Sequence, residues 1–301
     1  MTQPTISFIV GPTAVGKTEV AFLLAKRLSA EIISCDAMQV YKEINIASAK
    51  PSDAQLKEIK HHCLNIASVT EDFNVGRFRE AAIADLHDIQ LRGKNVIFCG
   101  GSPMYMAILL DGIFEQASRD PLLREKLQKQ AIVDGIGVLH RKLTELDSVA
   151  AGKIHRNDAK RIVRALEVCM SIGIPFSTFR KNKIKKRGFT SIKIGLMLEK
   201  EMLHNRINKR VDDMMQKGLL NEVKKLYLYK NSNSLQTVGY KELFEYIDKK
   251  IDLETATELI KRNTRQYAKR QMTWFKKDEN ITWFAPNEEG KIITFLNEKI
   301  K

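Results

Sequence analysis

The eight residues Gly11-Pro12-Thr13-Ala14-Val15-Gly16-Lys17-Thr18 have the types and spacing to hold a polyphosphate. Two glycines bracket a tight loop with no Cβ in the way, so successive backbone N–H groups can turn inward onto phosphate oxygens. Lys17 is placed to reach a terminal phosphate, and the Thr18 hydroxyl suits Mg²⁺. The flanks supply the context that this pattern needs. The apolar run Ile6-Ser7-Phe8-Ile9-Val10 predicts a buried strand before the loop. Residues 19–28 carry apolar side chains at helical spacing behind it, so a helix dipole points its positive end at the loop. A chance glycine turn would not come with both flanks. The motif says that a polyphosphate binds and leaves open what happens to it.

The sheet must bring other reactive residues to that loop. Residues 31–36 predict a second strand with Asp36 at its C-terminal end. Ligands of open α/β sheets sit beyond the carboxyl ends of strands, so Asp36 is expected near the phosphates. A helix over 74–92, ending near Gly93, leads to a third buried strand at 95–99 and then to Gly100-Gly101-Ser102. No carboxylate closes that strand. A hydrolytic NTPase normally holds its metal with an Asp there, which argues against an ATPase motor or a GTPase switch. From Asp120-Pro121 to about residue 179 the signals are helical, at 122–133, 138–145 and 158–172, with no strand alternation. Such a block between strands reads as an insertion. Residues 180–187 read as an exposed charged connector, and 192–198 as a strand that returns to the sheet. Residues 200–228 read as a helix with Arg206 and Arg210 one turn apart, and 253–277 as a last long basic helix. The expected fold class is α/β: a P-loop NTPase-like core with a mainly parallel sheet flanked by helices, over 1–118 and 188–301, plus an inserted all-helical domain over 119–187.

Composition narrows the class further. With 301 residues and 44% hydrophobic content the chain can bury a full core. No stretch is long and apolar enough to span a bilayer, and the N-terminal residues lack the pattern of a signal peptide. Cys35, Cys63, Cys99 and Cys169 lie far apart with no C-x-x-C, as expected of reduced thiols in a cytoplasmic protein. His61-His62-Cys63 reads as structural, because adjacent side chains do not readily share one ion. The net charge is +14, and it is clustered. Residues 151–190 hold eleven Lys or Arg against Asp158 and Glu167, a net +9, and residues 261–277 hold seven basic residues and no acid. Clustering of this kind is the electrostatic footprint of a polyanion partner; the alternative is a solvated basic face.

Several further runs now become recognisable: Ser34-Cys35-Asp36-Ala37-Met38-Gln39-Val40-Tyr41 followed by Ala49-Lys50-Pro51; Gly100-Gly101-Ser102-Pro103-Met104-Tyr105; the Arg-Ala-Leu-Glu core within 158–168; Val238-Gly239-Tyr240-Lys241-Glu242; and Thr264-Arg265-Gln266-Tyr267-Ala268-Lys269-Arg270-Gln271-Met272-Thr273-Trp274-Phe275. Together with the P-loop, and in this order, they resemble the bacterial type of the tRNA dimethylallyltransferases, also called tRNA isopentenyltransferases, over nearly the whole chain. Four positions depart from the family pattern, one of them Ala47, where the family usually has Gly. Ala37 stands where the family usually has Ser and loses a hydroxyl, whereas Ser48 and Ser102 stand where it has Thr and keep one. The zinc-finger tail of eukaryotic relatives does not follow the core.

The resemblance implies transfer of a dimethylallyl group from its diphosphate to the exocyclic amine of the adenosine 3′ of the anticodon, in tRNAs that read codons starting with U. A P-loop can hold a leaving diphosphate as well as a nucleotide. Charge builds on the diphosphate as the allylic C–O bond breaks, and the loop of Gly11, Pro12, Thr13, Ala14, Val15 and Gly16, through the N–H groups of all but Pro12, with Lys17 and Mg²⁺ on Thr18, supplies donors aimed where it develops. Arg206 resembles a family residue that helps bind the diphosphate. The adenine amine is a poor nucleophile and needs a base. Asp36 is the candidate, its other reading being a Mg²⁺ carboxylate. Lys17 and Ser102 join Asp36 in the catalytic set. The target base must be flipped into the site, where Gln39 and backbone around Asp36, Ala37 and Met38 can read its edge. The resemblance places Ser102, Arg124 and the stretch Lys160, Arg161, Ile162, Val163 and Arg164 on the tRNA anticodon stem-loop. The implied partners are that stem-loop and dimethylallyl diphosphate, with no membrane and a monomeric chain. The rival readings are a P-loop nucleotide kinase or RNA-binding ATPase, in which Asp36 would be a metal ligand, and a non-catalytic RNA-binding module, which leaves the P-loop unexplained.

Overall fold

The computed structural model describes residues 5–111, 120–179 and 188–300. The chain forms two compact units, one of Met1–Leu110 with Gly188–Lys301 and one of Asp111–Arg187. In the larger unit six strands, β1 (Thr5–Val10), β2 (Ala30–Ser34), β3 (His61–His62), β4 (Asn95–Cys99), β5 (Thr190–Leu196) and β6 (Ile281–Phe284), lie in the order β3-β2-β4-β1-β5-β6. Every pairing is parallel. Parallel strands are covered on both faces, which explains why β1 and β4 are runs of apolar residues rather than alternations. Phe8 lies opposite Phe98 in register, and their rings stack with centroids 4.8 Å apart. Burial of side chains of this size stabilises the fold by about 1.5–3 kcal/mol each.

Helices cover the sheet where their caps and apolar faces allow. The P-loop helix, Lys17–Leu28, buries Val20, Ala21, Leu24 and Ala25. The helix Val75–Leu91 begins where the Asn74 side chain accepts from the N–H groups of Gly76 and Arg77. The long basic helix, Leu253–Phe275, begins where Asp252 accepts from Thr255 N at 2.7 Å. Such caps satisfy N–H groups that have no partner within the helix.

Four features differ from the sequence expectation. Strand β2 ends at Ser34, which leaves Asp36 in the loop two residues beyond it. The helix expected over 200–228 is broken: it runs over Lys200–Gln216, turns at Gly218 with φ +94°, and resumes over Leu219–Lys225. A positive φ of this kind is inexpensive only for glycine. The long basic helix is not the last element, since β6 and a helix over Glu289–Ile300 follow it. Strand β3 is only two residues long, and polar contacts reinforce it. Glu31 of β2 accepts from Arg92 and from His62 Nε2, and His62 Nδ1 lies 3.3 Å from Asp85. The Arg92 guanidinium, aided by His62, holds the Glu31 carboxyl down at about 2 against the opposing effect of burial. The connector expected at 180–187 lies outside the described residues.

A second carboxylate fixes the loop after β2. Glu222 accepts from three successive backbone N–H groups, those of Asn45, Ile46 and Ala47, at 2.9, 2.7 and 3.1 Å, and from the hydroxyl of buried Tyr240 at 2.9 Å. Lys50 ties the same loop by donating to the carbonyl of Tyr41 and to the side chains of Asn45 and Asn65.

The smaller unit has its own apolar core, in which Leu127, Leu139, Leu143, Ile162 and Leu166 meet. Glu167 is fully buried within it. A buried carboxylate is tolerated only when paired. Here Arg124 Nε and the Asp120 N–H donate to it, both at 3.0 Å, and Arg164 lies at 3.1 Å. Burial alone would raise the Glu167 pKa, but these partners outweigh it and hold the carboxyl below its ordinary value. Among the described residues no helix is long and apolar enough to cross a membrane.

Candidate active site

A cleft of about 740 Å³ opens at the carboxyl ends of the strands in the larger unit. Its floor is the loop between β1 and the P-loop helix. The loop is forced into shape by three residues with positive φ: Gly11 at +146°, Ala14 at +62° and Gly16 at +106°. Gly11 has no alternative, because a Cβ there would stand 2.6 Å from the Leu196 carbonyl oxygen of β5. Thr13, Ala14, Gly16, Lys17 and Thr18 face the cleft, whereas the Val15 side chain is wholly buried in the core. Pro12 contributes its carbonyl, which accepts from Lys17 Nζ at 2.7 Å.

Lys17 is the electrostatic centre of the cleft. Burial drives its pKa from 10.5 down to about 8, with the charge of Asp36 opposing the fall and that of Arg210 adding to it. Arg210 is itself shifted downward by burial and held up by Asp36 and Glu19. Arg206 lines the cleft from the same helix and donates to the Val15 carbonyl at 3.2 Å, fixing the loop from outside. The site thus holds three cations around one glycine loop, an arrangement suited to a di- or triphosphate.

Asp36 lines the cleft opposite, and its Oδ1 accepts from Met38 N at 2.8 Å. Ser102 is buried, and its Oγ accepts from the Ala37 N–H at 2.9 Å, which joins the loop after β2 to the loop after β4. Tyr267, from the long basic helix, reaches the same place and hydrogen-bonds Ser102. Burial pushes its phenol up to about 12, with Asp36 adding to the shift. The end of β4 carries Cys99 where a carboxylate would hold a metal in a hydrolytic NTPase, and burial pushes this thiol up to about 12. The Thr18 hydroxyl and the Asp36 carboxylate are among the hard oxygen donors that face the cleft. A cation that draws its remaining ligands from phosphate oxygens fits such a pair.

The structure changes the standing of several residues. Gln39 does line the cleft, but its amide is occupied. Its Oε1 accepts from Ser34 Oγ at 2.7 Å, and its Nε2 donates to the carbonyls of Ser48 and Ala49. It braces the loop rather than presenting a free edge to a base. Arg124 and the stretch 160–164 belong to the smaller unit. There Ile162 and Val163 face its core, so the expectation that the whole stretch meets tRNA narrows to Lys160, Arg161 and Arg164. Of these, Lys160 and Arg161 are exposed, while Arg164, like Arg124, is engaged with Glu167. Among the cleft residues that were not singled out for the site from sequence are Arg210, Tyr267 and Gln271. The signals were present, since Arg210 follows Arg206 by one turn and the other two lie within the run 264–275.

The half-buried ammonium has a measurable consequence. A Lys whose free-state pKa is about 8 is charged below that pH and neutral above it. Affinity for inorganic diphosphate, read by calorimetry, should therefore hold below about pH 8 and fall as pH rises through it, by up to about 10-fold per unit. Lys17→Arg, which does not titrate in this range, should bind more weakly but show no such fall.

Comparison with known proteins places this geometry. The chain matches the IPP transferase family profile over residues 39–278. It is 44% identical over 279 residues to tRNA dimethylallyltransferase 2 of Azobacteroides pseudotrichonymphae, covering 93% of this chain and 91% of that protein. It is 42% identical over 293 residues to tRNA dimethylallyltransferase of Christiangramia forsetii, covering 97% of each. Among solved structures it is similar to a tRNA isopentenylpyrophosphate transferase of Bacillus halodurans, with 36% identity, a TM-score of 0.72 and coverage of 99% and 97%. A eukaryotic dimethylallyltransferase acting on tRNA is 31% identical with a TM-score of 0.76, covering 90% of this chain and 69% of that one. A match of this extent, on a chain whose P-loop faces a carboxylate across one cleft, means that the protein belongs to the tRNA dimethylallyltransferase family of IPP transferases.

Proposed function

We propose that the protein transfers a dimethylallyl group from dimethylallyl diphosphate to the exocyclic amine of the adenosine 3′ of the anticodon, in tRNAs that read codons starting with U. The product is isopentenyladenosine. The observation that carries this reading is the pairing, within one cleft, of a phosphate loop with three cations and a carboxylate that faces them. The names of the relatives point to the same chemistry.

The roles follow from placement. The P-loop N–H groups other than that of Thr13, which donates to Gln271, hold the diphosphate together with Lys17 and Arg206, with their donors turned toward the oxygen that gains charge as the allylic C–O bond breaks. Mg²⁺, bound by the Thr18 hydroxyl and the diphosphate, would add positive charge at the leaving group. The adenine nitrogen attacks the allylic carbon, a C–N bond replaces the C–O bond, and the amine loses one proton. Asp36 takes that proton. Ser102, held against the Ala37 N–H and next to Tyr267, steadies the loop that carries Asp36 and lines the acceptor side. Ala37 contributes backbone here, which is why loss of the family's hydroxyl is compatible with the role. Lys160 and Arg161, with Arg124 and Arg164 behind them, meet tRNA phosphates. The enzyme acts as a monomer in the cytoplasm. Incubation with dimethylallyl diphosphate and tRNA lacking the modification, followed by mass analysis of nucleosides, tests the function. Absence of isopentenyladenosine would overturn it.

The two roles open to Asp36 separate cleanly. Asp36→Asn keeps shape and one acceptor oxygen but removes basicity. As a base, its loss should lower the single-turnover rate by about 10²–10⁴-fold while affinity for dimethylallyl diphosphate changes little. As chiefly a metal ligand, its loss should weaken donor binding and be rescued by added Mg²⁺. We expect the first pattern.

The tRNA face has a separate signature. Each phosphate contact removed should flatten the dependence of log affinity on log salt by roughly 0.7–0.9. Lys160→Gln with Arg161→Gln should reduce the slope by about 1.5 and raise KM for tRNA, without affecting donor binding. An unchanged slope would leave these residues as a solvated face.

A further inference from the structure

We infer that Gln271 is a positioning residue that joins the donor side of the cleft to the acceptor side through both ends of its amide. The inference rests on the donor-site reading above. Gln271 projects from the long basic helix and is only 2% exposed. Its Oε1 accepts from the Thr13 N–H of the P-loop at 2.8 Å. Its Nε2 donates to the Gly101 carbonyl at 2.6 Å, in the loop that carries Ser102. One carboxamide therefore spans two loops that are adjacent in space but 88 residues apart in sequence.

The contact is tight and specific in chemistry. A Cβ on Gly101 would stand 2.4 Å from Gln271 Nε2 and 3.3 Å from Lys17 Nζ, so Gly101, the Gln271 amide and the Lys17 ammonium share one crowded point. The site requires an acceptor toward Thr13 and a donor toward Gly101 at the same time. At neutral pH glutamine supplies both, whereas ionised glutamate of the same length supplies acceptors alone. The Thr13 N–H is thereby taken out of free rotation and held at a fixed angle at the head of the phosphate loop. The Gly101 carbonyl is fixed at the entry to Ser102. An unpaired buried amide or carbonyl at either end would cost the desolvation of that group, and the loops would shift to find water.

Glutamate provides the test. Protonated, its carboxyl is a shape match for the amide, with one O–H donor and one carbonyl acceptor. The Gln271→Glu side chain should therefore regain both bonds as pH falls. The charged and titratable groups lining the cleft are Lys17, Glu19, Asp36, Lys50, His61, Cys99, Arg206, Lys209, Arg210, Asp213, Tyr267 and Glu289. They titrate in wild type and variant alike, so the quantity to read is the ratio of the two dissociation constants at each pH. The probe is inorganic diphosphate with the full-length protein, followed by calorimetry. At about pH 8 the variant should bind roughly 10²-fold more weakly than wild type, since it loses one bond and places a negative charge near the ligand. At about pH 5.5 the ratio should fall to within roughly 3-fold. Gln271→Met, with neither donor nor acceptor, should bind about 10-fold more weakly at every pH.

A ratio for Gln271→Glu that stays flat with pH while wild type binds normally would overturn the positioning role. So would wild-type affinity in Gln271→Met, and so would failure of both variants to fold, which would make the contact purely structural. Failure of the wild type itself to bind diphosphate would overturn the donor-site reading, and this inference with it.

Discussion

A positive charge half-buried at the carboxyl end of a parallel sheet sets the conditions for the rest of the cleft. Lys17 is half-buried at the floor of the cleft, and desolvation there lowers its pKa to about 8. Ionised groups out of water need compensation, and an opposing carboxylate in Asp36 supplies part of it. The remainder is left for a ligand. Lys17, Arg206 and Arg210 gather around the loop itself, so its immediate surroundings favour an anion. A diphosphate is such an anion, and the same donors act most strongly when further charge develops on it.

Close approach of backbone to backbone makes that arrangement possible. Gly11 lies against the β5 carbonyl of Leu196, and Gly100 lies so near the Cys35 carbonyl that a Cβ would be 2.2 Å from it. The strands that end here are therefore drawn tightly together, and their loops are fixed by side chains from elsewhere. Glu222 gathers three N–H groups of the loop after β2, Arg206 holds the Val15 carbonyl, and Ser102 holds the Ala37 N–H. Each is a single side chain spanning a long sequence separation. Much of the preorganisation of the cleft is thus supplied by the second half of the chain, through Arg206 and Glu222, with Ser102 from the first half, which also supplies most of the reacting groups.

Charge in the smaller unit has two uses. Some cations are held against a buried carboxylate: Arg124 and Arg164 enclose Glu167, and their guanidinium groups stabilise a core that would otherwise contain an isolated charge. Others, such as Lys160 and Arg161 on the exposed turn of the same helix, keep their charge in solvent. Net charge alone does not distinguish the two, because it counts every guanidinium equally.

Local pattern in the sequence was enough to determine the P-loop, its flanking strand and helix, the central strands and the helical character of the insertion. In each case the deciding physics acts between near neighbours: glycine permissiveness, apolar runs for strands covered on both faces, and helical spacing. The same pattern placed Asp36 beside the phosphate loop. Strands β3 and β6 were not legible, since two or four residues carry too little periodicity. What makes them strands is a partner: Glu31 and Arg92 around His62, and for β6 the absence of a Cβ on Gly195, where the Trp283 ring packs. Whether Gln39 reads a base or braces a loop, and whether Ile162 and Val163 face a core or a ligand, depended on groups far away in sequence. Gln271 shows the reason most plainly. Its type and its neighbours in the run 264–275 were visible, but its role lies in two hydrogen bonds, one to Thr13 and one to Gly101. Only folding brings those two groups within reach of one amide.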